Sequence, residues 1–482
     1  MGAWAGGLPS LLLGLLFSST QWTHGANPGL VARITDKGLE YAAKEGLLAL
    51  QRELYKITLP DFSGDFKIKH IGSGHYEFSR LEIRSCEVHS TALKPLPGQG
   101  LTLAITDSSI RVEGRWKVRK SFLKPRGSFD LRVKGITISI SLLLGSDPSG
   151  RPTVTTSTCV SHIDDVEVDI SGSLGWLLNL FHNHVESKFR RVLQSEICEM
   201  VQKSGTTDLQ PYLQTLPVTA KIDSFAGIDY SLMEAPQAAA QTLDVMFKGE
   251  IFNLNQRSPA ASVAPVINLP EDHGQHMVYF AISDYIFNMA GQVYHEAGYL
   301  NFCFTDDMIP PDFHIRLTTK SFRPFVPRLV RLYPNMNLEL QGTVVSAPRL
   351  NFSPGNLSLT PQMEMEAFVL LPNSLKKSVF RLGVATNVSA ILSFNNSRLI
   401  GFLRPGKVHL ELKESNVGVF NVELLEALIN YYIINNLYPK VNEKLAEGLP
   451  LPLLKQTRLY DLALHIHQDF LWLGANVQYM RD

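Results

Sequence analysis

The order of the predicted elements constrains the fold of this chain more than any single motif. A helical pattern covers Thr35–Tyr55, alternating strand patterns with Gly and Pro turns fill Phe66–Val168, and a long helical stripe covers Leu174–Val201. The same order returns in the second half. It begins there at Ala281–Asp284, a segment similar in sequence to Ala32–Asp36, and each of these segments precedes a helical pattern. We therefore predict a duplicated α+β domain, which agrees with a chain of 482 residues.

The long helical stripe needs an equally long partner. At 1.5 Å per residue, a helix over Leu174–Val201 is roughly 40 Å long, and Ser173 is a suitable N-cap. The meandering sheet is the only long surface that the pattern offers. The apolar face of this helix either packs as ordinary core or borders an apolar groove for acyl chains. Its apolar residues are Leu174, Leu177, Leu178, Phe181, Val185, Phe189, Val192, Leu193, Ile197 and Met200.

The most unusual charge pattern lies in Arg111–Lys134, which holds nine Lys or Arg residues and two acids. Basic and apolar residues alternate along two runs on either side of Ser121–Gly127, which predicts a hairpin. At its tip, cations lie beside Phe122 and Leu123, a combination that suits an anionic amphiphile with phosphates above acyl chains. A lysine-rich hairpin can also serve only to protect a sheet edge. The apolar parity then shifts, which predicts a bulge near Gly135.

The charge balance of the whole chain restricts its partners. The sequence contains 45 basic and 45 acidic residues, and its net charge is +0. A general polyanion binder needs an extended excess of positive charge, so the composition argues against nucleic acid as a partner. Anion binding must therefore be local, and the predicted hairpin is the place for it.

The N-terminus and the sequons indicate an exported protein. Residues 1–25 have the pattern of a signal peptide, with an apolar core at Leu8–Phe17 and the small Gly25 at the cleavage position. No later stretch reaches the roughly 18–20 apolar residues of a membrane-spanning helix, so we expect a secreted, extracellular protein. Pro354 makes the first of four N-glycosylation sequons the least favourable. The sequons are at Asn351, Asn356, Asn387 and Asn395.

The four cysteines fit an oxidising compartment. Cys159 lies near a predicted strand and Cys198 near a predicted helix end, and a bridge between them would contribute about 3–4 kcal/mol by loop entropy. Cys86 and Cys303 belong to different halves, and we interpret each as a buried thiol. No Cys or His spacing suggests zinc.

Motifs for catalysis are lacking in the sequence. There is no G-x-S-x-G elbow, no P-loop and no H-E-x-x-H sequence. The acid pairs Asp164-Asp165 and Asp306-Asp307 lie near predicted turns and are expected to be solvated. The histidine pairs His182/His184 and His465/His467 lack a third ligand. We therefore predict a protein that is not an enzyme and that holds no metal.

Several long sequence segments are similar to those of a known family. They are Ala26–Asp36, Leu59–Phe62, Gly114–Lys120, Leu174–Phe181, Ser321–Pro327 and Leu473–Tyr479. These segments resemble the family of lipopolysaccharide-binding, bactericidal/permeability-increasing and plasma lipid-transfer proteins, and the resemblance runs from residue 26 to the C-terminus.

The resemblance implies an elongated boomerang of two similar halves, each an antiparallel β-barrel with long amphipathic helices, joined by a central β-sheet. It implies a phospholipid-holding apolar pocket in each half, with no other cofactor, and a Cys159–Cys198 disulfide. The expected boundaries are residues 1–25 for the signal peptide, 26–215 for the lipid- and endotoxin-binding domain, 216–270 for central strands and a Pro-rich linker, and 271–482 for the C-terminal domain.

The resemblance also implies a location in plasma, a role and a site. Its endotoxin-binding tip corresponds to Arg119 and Lys120. A family carrier would take the lipid A part of lipopolysaccharide from aggregates or the bacterial outer membrane surface. It would then pass this cargo to a myeloid co-receptor, with handover assigned to the C-terminal half. The expected neighbours in the site are Lys117, Lys124, Arg126, Trp116 and Phe122.

Neutral net charge favours a releasing carrier over a directly bactericidal, endotoxin-neutralising relative, which should stay bound to anionic membrane. A plasma phospholipid or neutral-lipid transfer protein is an alternative and would depend on apolar grooves. A secreted lipid hydrolase is a third, and the missing nucleophile motif counts against it.

Overall fold

The computed structural model describes residues 27–54, 59–68, 72–120, 124–171, 182–257, 262–271, 275–309, 311, 315–372, 374–395 and 397–481. Some predicted features lie outside these residues. They are the signal peptide, the tip residues Phe122 and Leu123, and the start of the long helix with its cap at Ser173.

The first half combines helices with an antiparallel sheet of order β2-β3-β5-β6-β7, in which β4 also pairs with β5. A π-helical turn, Gly205–Leu209, connects the long helix α2 to the short helix α3. The elements are β1 (Leu30–Thr35), α1 (Asp36–Leu54), β2 (Phe62–Ile68), β3 (Gly72–Glu87), β4 (Ser90–Leu96), β5 (Gly100–Arg119), β6 (Arg126–Ser146), β7 (Pro152–Ile170), α2 (His182–Ser204) and α3 (Gln210–Leu213).

The two basic runs form the long hairpin β5–β6 in the interior of this sheet. Strand β5 has β3 and β6 as neighbours, and β6 lies between β5 and β7. Protection of a sheet edge is therefore the wrong explanation for the basic residues. The bulge predicted near Gly135 is confirmed, because Ser108 pairs with Ile136 whereas Ile110 pairs with Val133. Gly135 has a positive φ of 65°, a conformation that glycine adopts at low cost.

Helix α2 packs its apolar stripe onto the sheet as core over the described part of the stripe. Val185, Phe189, Leu193 and Ile197 are buried in the same cluster as strand residues such as Leu131. Spacings of three and four residues place these side chains on one face of the helix, and period-two alternation supplies the facing surface. The sheet is thus the partner that the length of this helix required.

A central sheet joins the two halves. The connecting segment contributes β8 (Thr219–Lys221), β9 (Ala226–Asp229), β10 (Gln237–Ala238), β11 (Thr242–Phe247) and β12 (Glu250–Asn253). With β13 (Val278–Ser283), β24 (Thr457–Ile466) and β25 (Phe470–Tyr479), the central sheet has the order β10-β11-β1-β13-β25-β24. Strands from the beginning and the end of the chain therefore share one sheet, with β13 between them.

The second half has antiparallel sheets of order β14-β15-β18-β19-β22 and β16-β17-β20-β21-β23. A π-helical turn, Ile433–Leu437, separates α6 (Glu423–Tyr432) from α7 (Tyr438–Glu447), which has Pro439 in its first turn. The elements are β13 (Val278–Ser283), α4 (Asp284–Glu296), β14 (Phe302–Phe304), α5 (Pro327–Leu332), β15 (Asn337–Val344), β16 (Leu350–Ser353), β17 (Asn356–Leu359), β18 (Gln362–Leu370), β19 (Lys376–Thr386), β20 (Val388–Asn395), β21 (Arg398–Arg404), β22 (Val408–Ser415), α6 (Glu423–Tyr432), α7 (Tyr438–Glu447), β23 (Leu449–Pro450), β24 (Thr457–Ile466) and β25 (Phe470–Tyr479).

The two segments of similar sequence, Ala32–Asp36 and Ala281–Asp284, overlap strands that pair with each other in the central sheet. Strand β1 pairs antiparallel with β13, with Leu30 opposite Ile282 and Ala32 opposite Phe280. Each strand leads directly into a helix, α1 or α4, and the Ser283 hydroxyl accepts a hydrogen bond from the Tyr285 N–H at the start of α4. The predicted α+β fold of two related halves around a central sheet is confirmed.

Candidate functional site

The end of the hairpin β5–β6 brings basic residues of both strands together. Lys117 lies directly opposite Arg126 at the last pair of the ladder, and the Val118 N–H donates to the Pro125 carbonyl at 2.9 Å. Predicted site residue Phe122 lies outside the described residues. We call the cations collected at this end the basic tip, and they are Lys117, Arg119, Lys120, Lys124 and Arg126.

Trp116, a predicted ligand contact, lies beneath the basic strand. It is only 2% exposed, and its indole N–H donates to the carbonyls of Ser171 at 2.9 Å and Ser128 at 3.2 Å. Alternation explains the difference, because residue 116 has the opposite parity to Lys117 and points into the core. Trp116 therefore supports the basic tip from below and does not belong to its surface.

Farther from the tip, in the part of the hairpin around Arg111 and Arg132 that we call its base, the cations are neutralised by nearby acids. Arg111 and Arg132 contact Asp130, and Lys134 donates to Glu167 at 3.0 Å. The hydrogen bond from Lys134 lowers the pKa of the Glu167 carboxyl, and the bond to Asp130 raises the pKa of Arg111. These charges are thus satisfied within the protein.

The basic tip differs from the base in its ion pairing. Arg119 is 56% exposed on its side chain and forms an ion pair of 3.7 Å with Glu77. Within the part of the chain that the structure describes, Lys117, Lys120, Lys124 and Arg126 have no carboxylate partner. Lys124 and Arg126 are exposed, and Lys117 and Lys120 are half-buried. Unpaired cations that reach the surface are suited to charge-assisted hydrogen bonds with phosphate oxygens.

An aromatic cluster holds the strands of the basic tip in place. The Phe189 ring of α2 lies 4.6 Å from Phe62, 5.2 Å from Phe78 and 5.3 Å from Phe129, measured between centroids. Stacked and edge-to-face rings of this kind stabilise a fixed arrangement. The basic tip therefore extends from a rigid sheet, which limits the ordering cost of binding a ligand there.

Helix α1 is anchored at its start but less buried later. Leu39 lies in a buried cluster, whereas Leu47 and Leu50 are only half-buried. Leu50 packs against the main core together with the half-buried Ile83 and Leu103 of the sheet. Partly open leucines along a helix that covers a sheet are expected where an apolar groove lies between them, and this pattern differs from the burial of Val185, Phe189 and Leu193 in α2.

The structure decides the states of the cysteines. Cys159 of β7 and Cys198 of α2 form a disulfide with a Cα–Cα distance of 5.7 Å, which confirms the predicted pair. Cys86 is a buried thiol, as expected. Cys303 is exposed, so its predicted burial is wrong. It lies between Phe302 and the buried Phe304 in β14, and alternation along this strand turns it outward.

We expect iodoacetamide to modify Cys303 of the folded protein and to spare Cys86. Burial raises the pKa of the Cys86 thiol to about 11 and blocks access to it. Burial and a hydrogen bond to Glu339 also raise the pKa of Cys303, so its labelling at pH 8 should be slower than that of free cysteine. Peptide mapping measures both sites.

A Cys303→Ser variant supplies the control for this measurement, because it should take up no label until the protein is unfolded. Labelling of Cys86 in the native protein would contradict the burial described above.

The four sequons occupy exposed positions on the second half. Asn351 lies in β16, Asn356 begins β17, Asn387 precedes β20 and Asn395 ends β20. Exposure makes each asparagine accessible to a glycan. Glycosylation at these sites stays a prediction.

The acids and histidines considered for catalysis have structural surroundings. Asp306 accepts hydrogen bonds from Arg316 and from the Leu317 N–H, both at 2.7 Å. His467 stacks on Phe470. Among the described residues, no three or more His, Cys, Asp or Glu side chains are grouped to hold a metal ion. No helix within the same residues is long and apolar enough to cross a membrane.

Family models match both halves of the chain. The LBP / BPI / CETP family N-terminal domain matches residues 38–215, and the C-terminal domain of the same family matches residues 220–479. Curated relatives include lipopolysaccharide-binding protein of Homo sapiens, 72% identical over 481 residues with 100% of each chain covered. The protein of the same name from Bos taurus is 68% identical, with 99% of each chain covered.

A solved structure shares this fold. A crystal structure titled lipopolysaccharide binding protein has a TM-score of 0.71 and 64% sequence identity to this chain. The match covers 95% of this chain and 100% of the other. Because the matched region includes both halves, the agreement concerns the whole two-half architecture.

Proposed function

The chain belongs to the LBP / BPI / CETP family, and on that basis we propose that it is a carrier that binds the lipid A part of lipopolysaccharide through the basic tip. The observation that carries this proposal is the group of unpaired cations at the end of a rigid hairpin. A carrier has no need of a catalytic site, and we propose a role without catalysis. The disulfide is consistent with a secreted carrier, because disulfides persist in oxidising compartments.

The spacing of the basic tip suits a ligand with more than one phosphate. Lys117 and Arg119 are two residues apart on the outward face of β5, so their side chains start roughly 7 Å from each other. Arg126 adds a third cation from the opposite strand. Lipid A presents phosphates on a sugar headgroup above acyl chains, and arginine binds such groups in a bidentate manner.

Neutral net charge supports transfer over permanent capture. A molecule with net charge +0 has little long-range attraction for anionic membrane once its local site is disengaged. Its cargo is therefore held mainly by short-range contacts at the basic tip. We propose on this ground that the protein releases lipopolysaccharide to a myeloid co-receptor and is not itself bactericidal.

Phospholipid binding is the second candidate function. It is favoured by the half-buried leucines of α1, which border the sheet without being completely covered. An acyl chain placed against them would remove apolar surface from water, which is worth about 0.8 kcal/mol per methylene group. We propose that phospholipid occupies this region and that it accompanies the carrier function.

One experiment separates the two candidates. Purified protein is added to self-quenched aggregates of fluorescent lipopolysaccharide and, in parallel, to self-quenched phosphatidylcholine vesicles. An endotoxin carrier should dequench the first sample, and the signal should fall as salt is raised because the contacts are ionic. Dequenching of the vesicles alone would replace the carrier proposal with phospholipid transfer.

A basic surface of the second half is suited to handover of lipopolysaccharide. Residues 320–333 contain Lys320, Arg323, Arg328 and Arg331, all exposed, and no acid. The loop carrying Val419, which is 95% exposed, lies beside them, because the Arg328 guanidinium approaches Gly418. An exposed basic and apolar surface without described acidic partners suits an acidic receptor. We propose that the co-receptor contacts this surface.

We expect Arg323→Glu/Arg331→Glu to lower transfer to co-receptor-bearing myeloid cells while extraction of lipopolysaccharide is unchanged. Removal of rim charges mainly slows the encounter, so roughly tenfold slower transfer is expected at physiological salt. Cell-associated fluorescence measures transfer, and dequenching measures extraction.

The matched control is Arg404→Glu/Arg458→Glu, two exposed arginines elsewhere in the second half with the same change in charge. Equal loss of transfer in both double variants would show a general charge effect and would remove the handover surface from the proposal.

A further inference from the structure

We propose that Glu77 is the release residue of the basic tip: its carboxylate competes with the ligand phosphates for Arg119 and lowers the affinity of the site. This inference rests on the proposed binding of lipopolysaccharide at the basic tip and adds a means of letting it go. The ligand class is a phosphorylated lipid headgroup.

The strand register places Glu77 among the cations. Glu77 of β3 lies directly opposite Lys117 of β5, and Lys117 lies directly opposite Arg126 of β6. Side chains that face each other across paired strands point to the same side of the sheet. Glu77 therefore shares the outward face with Lys117 and Arg126, and its carboxylate also reaches Arg119 at 3.7 Å.

The pairing at this position differs from the pairing at the base of the hairpin. There, Arg111 and Arg132 share Asp130, so the described acids satisfy the cations. At the basic tip one carboxylate is set among cations that otherwise have no described acidic partner. The nearest acid on β2, Asp65, is hydrogen-bonded to His75 at 2.9 Å. Glu77 is thus an internal substitute for one anionic group of the ligand.

Such a substitute changes release more than capture. The pair is exposed, with 56% of the Arg119 side chain and 39% of the Glu77 side chain accessible, so it is weak and a phosphate can displace it. Once the ligand is bound, the displaced carboxylate remains beside the phosphate and repels it. When the phosphate moves away, the ion pair re-forms and occupies the arginine. Both effects speed dissociation, which is where most affinity differences between related complexes lie.

The test is Glu77→Gln, which keeps the shape of the side chain and removes its charge. We expect roughly two- to fivefold tighter binding of purified lipopolysaccharide, mostly through slower dissociation, as for loss of one exposed charge interaction. The gain should shrink at about 1 M salt, where the Debye length is about 3 Å. Transfer to co-receptor-bearing cells should slow by a similar factor. A thermal melt should be nearly unchanged.

Glu82→Gln is the matched control. Glu82 is an exposed acid of the same strand, paired with Arg84 at 3.0 Å, and its removal changes the net charge equally. Its binding should equal that of the wild type. Tighter binding by both variants would overturn the inference, because the effect would then come from overall charge.

Two further outcomes would also overturn it. Unchanged binding by Glu77→Gln would make the pair with Arg119 a surface contact without effect on the ligand. Weaker binding would mean that Glu77 orients Arg119 for the ligand. Wild-type binding, measured beside Arg119→Glu/Lys120→Glu, reports separately on the proposed function, since a wild type that fails to bind lipopolysaccharide would refute that function first.

Discussion

Replacing Arg119 and Lys120 with glutamate is expected to weaken lipopolysaccharide binding by at least about a hundredfold while the protein stays folded. On the proposed function each cation is expected to contribute a charge-assisted hydrogen bond to phosphate, worth about 1.5–3 kcal/mol, and the glutamates would add repulsion. Arg119 is exposed and has one ion pair of 3.7 Å, so little stability depends on it. Fluorescence anisotropy with labelled lipopolysaccharide measures the affinity, and a thermal melt checks folding.

The same hairpin supplies a matched control in Arg132→Glu/Lys134→Glu. Both residues are exposed and the charge change is identical, but they lie at the base, where Asp130 and Glu167 accompany them. This variant should bind lipopolysaccharide nearly as well as the wild type. If it loses as much affinity as Arg119→Glu/Lys120→Glu, the whole basic face of the hairpin is the site. If neither variant loses affinity, the half-buried leucines of α1 become the candidate site.

Removal of the disulfide is the second change with a large expected effect. A Cys159→Ser/Cys198→Ser variant should lose about 4 kcal/mol of unfolding free energy, because the bridge closes a loop with a sequence separation of 39. The bridge connects β7 to α2, the helix whose Phe189 packs under the basic tip. Looser attachment of α2 should therefore also weaken lipopolysaccharide binding, by less than the tip variant does.

Differential scanning calorimetry is the appropriate measurement, because two halves need not unfold in one transition. The transition of the first half should move to lower temperature, and that of the second half should stay near its wild-type position. Cys303→Ser is the control, since this exposed thiol has no bridge to lose. A shift of the second-half transition alone would contradict the assignment of the bridge to the first half.

The hairpin shows what alternation along a strand can predict and where it was misread. Alternation alone predicted two basic strands with one apolar face, and the shift in parity alone predicted the bulge at Gly135. Both are confirmed. Alternation also placed Trp116 on the apolar face. Its prediction as a ligand contact relied on its position next to Lys117 in the sequence and disregarded this alternation. The side chain lies in the core.

Local patterns also predicted the duplicated plan and the disulfide. These features depend on periodicity and on cysteine positions, which are properties of short stretches of chain. The sequence pattern around Cys303 was less informative about burial. Its β-strand is only three residues long, too short for alternation to show which side of it would be exposed.

Only the tertiary structure decided which cations of the hairpin are neutralised. The partners Glu77 and Glu167 come from β3 and β7, distant in sequence from the basic residues they face. The pairing of β1 with β13, and the interior position of β5 and β6, likewise depend on which strands become neighbours. The sequence by itself determined the two faces of each element, because periodicity is local. Strand order and register determined the free charges of the basic tip, because ion pairs form between residues that only the folded chain brings together.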